Sequence, residues 1–188
     1  MVNLALLVLR LTAGSLLAGH GSQKLFGWFG GNGLDGTAKW LESMGLTPGK
    51  PWAVAAGASE FGGGMLMILG LLNPVGPLSA LGSMGMATAK AHWGKPIWVT
   101  SGGAELPVTN GAITTALMLA GPGDISLDRL AHTKLPRWVL IPGLAAVAAS
   151  VATGVILSNQ QQQQQQQATP AVEASAEPSS DLEVTPSI

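Results

Sequence analysis

The chain has no cysteine, few charged residues and only three histidines. Without cysteine it can form no disulfide, hold no metal through thiolate and run no thiol exchange of its own, so any redox role must use a bound cofactor or a partner. Only 10 % of its 188 residues are charged, against 47 % hydrophobic. With a positive mean hydropathy as well, it lacks the polar surface of an ordinary soluble domain, and a membrane is the natural solvent. It has no Lys/Arg cluster, so nucleic acid is excluded as an expected partner. No H-x-x-x-H spacing occurs, and no metal site is expected. The glycine runs Gly30-Gly31 and Gly62-Gly63-Gly64 lack the strand-then-helix setting of a phosphate loop. Met1 to Asn3 provide no basic n-region, and the next apolar run carries Arg10, His20 and Lys24, so it reads as a retained span and not as a cleaved leader.

What is present is length of apolar sequence. Hydrocarbon about 30 Å thick needs roughly 20 helical residues, and five segments approach that: 4–26, 53–72, 75–91, the shorter 106–120, and 139–157. Asn73-Pro74 leaves room only for a tight antiparallel turn between the second and third. All five are rich in Gly, Ala, Ser and Thr, the residues that let helices pack closely in lipid. The expected fold is therefore all-α, an integral membrane helical bundle with a four-helix core over residues 1–130 and an additional transmembrane helix over 131–158.

After Leu157 come eight consecutive glutamines and then a stretch rich in Pro, Ser, Ala and Glu. Residues 159–188 have too little apolar surface to offset ordering, so a disordered tail is expected. Four acids of the net −1 charge, Glu173, Glu177, Asp181 and Glu183, lie there, leaving nine basic and six acidic residues, or +3, over residues 1–157. Arg129, Lys134 and Arg137 crowd the fourth connection, whereas Lys39, Lys50 and Lys95 on the opposite side are diluted by acids and longer loops. The positive-inside rule then puts the N-terminus and the fourth connection inside and the tail outside. Trp28, Trp40, Trp52, Trp93 and Trp98 fall on the outer side, where an aromatic belt is expected.

Ionisable residues within the spans are the candidates for chemistry, because charge inside a membrane calls for a partner, a cavity or a pathway. At about 100° per residue, Arg10, Gly14, Leu17, Gly21 and Lys24 share one stripe that should face the bundle. Arg10 lies about 9 Å inside its helix. It needs a counter-charge, for which Asp124 and Asp128 are the expected ion-pair partners. Glu60 lies about 10 Å below the opposite surface, level with His20. A carboxylate beside an imidazole can form a charge pair, a proton relay or a site for a polar headgroup, or it can simply lock two helices together. Lys24 lies near enough to its helix end to snorkel. Lys90, His92 and Glu105 approach the same face, so six ionisable residues from four helices are expected to converge there.

These residues carry a family resemblance. The L-R-L around Arg10, G-H-G-x-Q-K at 19–24, E-F-G-G-G-x-x-x-I-L-G at 60–70, His92, G-G-A-E-L at 102–106 and G-P-G-D-I-S-L-D at 121–128 together resemble the DoxX family, over residues 4 to about 130. The resemblance implies a four-helix, multi-pass protein of a bacterial or archaeal plasma membrane with both ends cytoplasmic. Relatives include a subunit of a thiosulfate:quinone oxidoreductase and members associated with oxidative-stress defence beside soluble redox enzymes. Matched position by position, Arg10, His20, Gln23, Lys24, Glu60, His92, Glu105 and Asp128 follow the family pattern. The fifth span and the glutamine run depart from it, and a fifth crossing would move the tail outside.

Three readings of function are open. The first is a membrane subunit of an oxidoreductase system, with His20, Gln23, Lys24, Glu60, Lys90, His92 and Glu105 as ligand-binding or proton-relay candidates around a quinone-like headgroup and the redox centre on a soluble partner. The second is a non-catalytic scaffold or assembly factor for partner redox enzymes. The third is a small-molecule transporter, for which a homo-oligomer could supply a pore. In all three the chain has no intrinsic cofactor, quinone being the one a site would take, and membrane lipid is its surroundings. Fold alone does not choose among them.

Overall fold

The computed structural model describes residues 1–175, with side chains through Gln167. Among these residues the chain forms α-helices and no strand: α1 (Val2–Phe26), α2 (Gly33–Ser43), α3 (Gly49–Leu69), α4 (Val75–Met86), α5 (Glu105–Ala120), α6 (Leu127–Leu130) and α7 (Leu140–Ser175). The all-α bundle expected from the sequence is observed. Among the described residues, three helical stretches are long and apolar enough to cross a membrane, Val2–Phe26, Gly49–Leu69 and Arg137–Gln167.

The other two expected spans are shorter. The third keeps its expected extent of 75–91, but its last turn, Ala87–Ala91, widens into a π-helix. There the Thr88 hydroxyl donates to the Met84 carbonyl at 2.8 Å, competing for the oxygen that a backbone N–H would otherwise take. α5 has 16 residues. At 1.5 Å per residue it is about 24 Å long, several ångströms less than the hydrocarbon thickness.

α1, α3, α4 and α5 form a ring in which each packs on the next and α5 closes back on α1, while α7 docks outside on α4. Glycine sets the direction and closeness of the α1–α3 contact. A Cβ on Gly14 would come within 2.8 Å of the Gly64 carbonyl, and one on Gly21 within 2.7 Å of the Gly57 carbonyl. The two backbones are therefore in contact along an antiparallel seam repeating every seven residues, which only hydrogen side chains permit. α4 returns antiparallel to α3, with Gly76 against Gly63 and the Ser83 and Ser59 hydroxyls 2.6 Å apart. α7 runs parallel to α4, Gly143 lying against Leu78 and Gly154 against Met86. The N-terminus, the α3–α4 turn and the α5–α7 connection thus share one end of the bundle. α2, the α4–α5 connection and the glutamines share the other.

Two elements differ from the sequence reading. Residues 33–43, read as loop, form α2, which buries Thr37, Ala38 and Leu41 against α1 and α3. The helix expected to end at Leu157 continues through the glutamines to Ser175, where a disordered tail was expected from Asn159. Extending an existing helix needs no new nucleus, and glutamine is a reasonable helix former. The run is also tied down: Thr47 N–H donates to Gln161 Oε1 and Gln161 Nε2 donates to the Thr47 carbonyl, each at 3.0 Å. The expectation for residues 176–188 lies outside the described residues.

Candidate functional site

The stripe read on α1 is the buried face of that helix. Arg10, Gly14, Leu17 and Gly21 are buried, and Lys24 continues the line at the far end. Lys24 meets Glu60, which α3 holds in the interior at 4 % exposure. Lys24 Nζ donates to Glu60 Oε2 in a charge-assisted hydrogen bond. The ammonium is thus turned into the bundle, where the sequence suggested that it would snorkel outward. Glu60 takes this lysine and not the expected His20. His20 lies on the outer side of α1, exposed, with Nδ1 3.1 Å from Gln23 Oε1, and Gln23 in turn donates to the Phe29 carbonyl at 3.4 Å.

The remaining members of the expected cluster are spent locally. Lys90 Nζ donates to Asn159 Oδ1 at 3.0 Å and ties the π-turn to α7. His92 Nδ1 lies 2.7 Å from the Gly102 carbonyl, an arrangement that bridges the α4–α5 connection when this nitrogen carries the proton. Glu105 accepts from the Val99 N–H at 2.8 Å just ahead of α5. The side chains share an end of the bundle, but their hydrogen bonds serve separate helix termini. Among the described residues, no group of three or more His, Cys, Asp or Glu is placed to hold a metal ion.

The opposite end carries a second constellation, differently wired from the expected Arg10 ion pair. Arg10, 4 % exposed, donates from Nε to the Met67 carbonyl at 3.0 Å, from Nη2 to Ile68 at 3.2 Å, and from Nη1 to Ile125 at 2.9 Å and to Pro122. Four carbonyls, not a carboxylate, satisfy the guanidinium. Two of them belong to the last turn of α3, whose carbonyls lack a full set of helical partners and carry the negative end of the helix dipole. Asp128 acts on Arg10 only through its field. Its own oxygens accept from the Leu72 and Asn73 N–H groups at 2.8 and 2.9 Å, which fixes the turn between α3 and α4. Asp124 accepts from Asn3 Nδ2 and lies 3.7 Å from Arg129 Nε. The expected Arg10–Asp124–Asp128 ion pair is therefore corrected to an arginine in a carbonyl cage beside two separately engaged acids.

Residues 5–93 match the DoxX family model. These residues, just under half of the chain, carry a DoxX domain. None of the curated proteins and none of the solved structures matches the chain. The DoxX match contains both the Lys24–Glu60 pair and Arg10 with its two α3 carbonyls, whereas Glu105, Asp124 and Asp128 lie beyond it. With its long apolar helices, the DoxX domain makes this a membrane protein.

At the end of the bundle marked by Arg10 there is also a recess that sequence reasoning missed. It has a volume of about 540 Å³ and is lined by the α3–α4 turn, the end of α5 and the connection into α7. Arg129, Lys134 and Arg137 enter the sequence reading only as an orientation signal. Nothing in their spacing announces a cavity, because it arises where three elements separate in chain order come together.

Proposed function

We propose that this DoxX-family chain is a non-catalytic membrane scaffold that holds a partner redox enzyme at the bilayer. The observation that carries the reading is the closure of Glu60 on Lys24. A proton relay or a headgroup site needs a titratable group that is open to a second molecule, and here the interior carboxylate is matched by a cation of the same chain. The polar pair that does face outward from α1, His20 with Gln23, stands where a partner helix could cover it. A chain without cysteine leaves the electron chemistry to that partner.

The test separates scaffold from relay. Glu60→Gln and Lys24→Met are expressed in the membranes of a host lacking the chain. Folded yield, binding of decylubiquinone to the purified protein, and quinone reduction per folded molecule are then measured. The scaffold reading expects the single variants to lower yield, the wild type not to bind decylubiquinone, and turnover per folded molecule to stay unchanged. If Glu60→Gln folds normally yet loses quinone binding or turnover, Glu60 belongs to a quinone site and the chain is an active subunit.

A further inference from the structure

The recess beside the α3–α4 turn has an amphipathic construction. Met118, 4 % exposed, and the half-buried Leu135 and Leu140 make an apolar floor, and Arg129, Lys134 and Arg137 stand exposed around it. Two acids share the recess, and Asp124 pairs with Arg129, but neither acid pairs with Lys134 or Arg137. Asp128 is consumed by the N–H groups of the turn, and Asp124 is engaged by Asn3 and lies beside Arg129. The Lys134 and Arg137 side chains make no hydrogen bond or ion pair among the described residues. Two cations without partners therefore stand above an apolar floor.

The position matters as much as the charge. The recess lies where α5 ends and α7 begins, at the level of the helix ends and so of the lipid headgroups. α5 and α7 flank α4 with little contact between them, so the recess is open sideways to lipid. Trp138, 70 % exposed, comes directly after Arg137 and suits that interface.

We propose that this recess binds the phosphate of an anionic phospholipid headgroup, with Arg137 and Lys134 holding the phosphate and the Met118–Leu135–Leu140 floor receiving the glycerol end of the acyl chains. Arginine matches phosphate oxygens in a two-pronged geometry and lysine adds a point charge. Basic pockets between helix ends at a membrane face are suited to such headgroups. Inorganic phosphate would satisfy the cations but not the floor, which favours the lipid as the source.

The purified full chain in detergent is titrated with dioleoylphosphatidylglycerol or dioleoylphosphatidylcholine, and bound lipid is counted by native mass spectrometry. At about a factor of five per basic residue near an anionic surface, Lys134→Gln/Arg137→Gln should bind phosphatidylglycerol roughly 25-fold more weakly. Lys39→Gln/Lys50→Gln, which removes the same charge at the other end, should bind like wild type. The swap Lys134→Arg/Arg137→Lys should retain binding and guards against misfolding. If millimolar phosphate binds in the absence of lipid and is lost in the same glutamine variant, the site stands with free phosphate as its source. Equal affinity for the two lipids, or an equal loss in the two glutamine variants, overturns the proposal.

Discussion

Replacing one partner of the Lys24–Glu60 pair should be costly, and the cost should depend on which partner is left. The Glu60 side chain is 5 % exposed and that of Lys24 is 24 % exposed. Lys24→Met therefore strands a carboxylate with almost no access to solvent, and removing one partner of a buried pair costs about 3–5 kcal/mol. Glu60→Gln strands an ammonium on a four-carbon stem close to its helix end. The stem can swing the charge to the headgroups, so the loss approaches that of one charged hydrogen bond, about 1.5–3 kcal/mol. The double variant removes both charges and should be more stable than Lys24→Met alone, because no uncompensated charge remains. Thermal melting in detergent, monitored by tryptophan fluorescence, reads the series. For a chain of this length Lys24→Met should lower Tm by on the order of 10 °C, Glu60→Gln by roughly half that. A larger drop for Glu60→Gln, or a double variant whose loss equals the sum of the singles, would refute the claim that the pair is internal and closed.

Three other outcomes can be checked in the same melting assay. Gly21→Ala pushes a methyl group against the Gly57 carbonyl at 2.7 Å and should cost about 1–3 kcal/mol, while Gly62→Ala, with open space around it, should be neutral or slightly stabilising. Asp128→Ala removes the acceptor for the Leu72 and Asn73 N–H groups and should cost about 1.5–3 kcal/mol for each charged hydrogen bond lost. A loss no larger than that of an exposed surface substitution would contradict the turn-holding role. Finally, the hydrogen bond from Lys50 and the charge of Lys50 hold the exposed Asp35 carboxyl below its ordinary range. A depressed folded value means that this small contribution is present above the unfolded pKa of about 4 and fades as pH falls through the folded value. Wild type and Lys50→Ala should therefore differ most near neutral pH and converge in acid, and a gap that widens in acid would reverse the sign.

The helices were legible wherever apolar length or periodicity reports burial. The Arg10–Gly14–Leu17–Gly21–Lys24 stripe lies on the buried face, and the Asn73-Pro74 turn joins the antiparallel pair expected of it. The same stripe held the partner of Glu60, since Lys24 lies on it and His20 does not. Matching residues by depth alone selected His20, because depth counting places a residue along a helix without saying which way it faces. α2 also left a signal, with Leu34, Thr37, Ala38 and Leu41 at helical spacing, but at 11 residues it is too short to stand out beside membrane spans. The carbonyl cage of Arg10 was not legible in the sequence. Backbone oxygens carry no residue identity, and those of Pro122 and Ile125 are brought to Arg10 only by the tertiary fold. The recess at Lys134 and Arg137 escaped for the same reason.

The docked glutamine at position 161 belongs to a stretch in which every residue from 160 to 167 is the same. Lengthening or shortening such a stretch by one unit leaves a glutamine opposite Thr47, so the clamp on the α2–α3 loop is indifferent to the count. The rest of the helix is not. Each added residue moves the distal turns about 1.5 Å further along the axis and rotates them by about 100°. The number of glutamines thus acts as an adjustable dial, turning the last described turns of α7 about that helix's own axis while leaving the membrane core untouched.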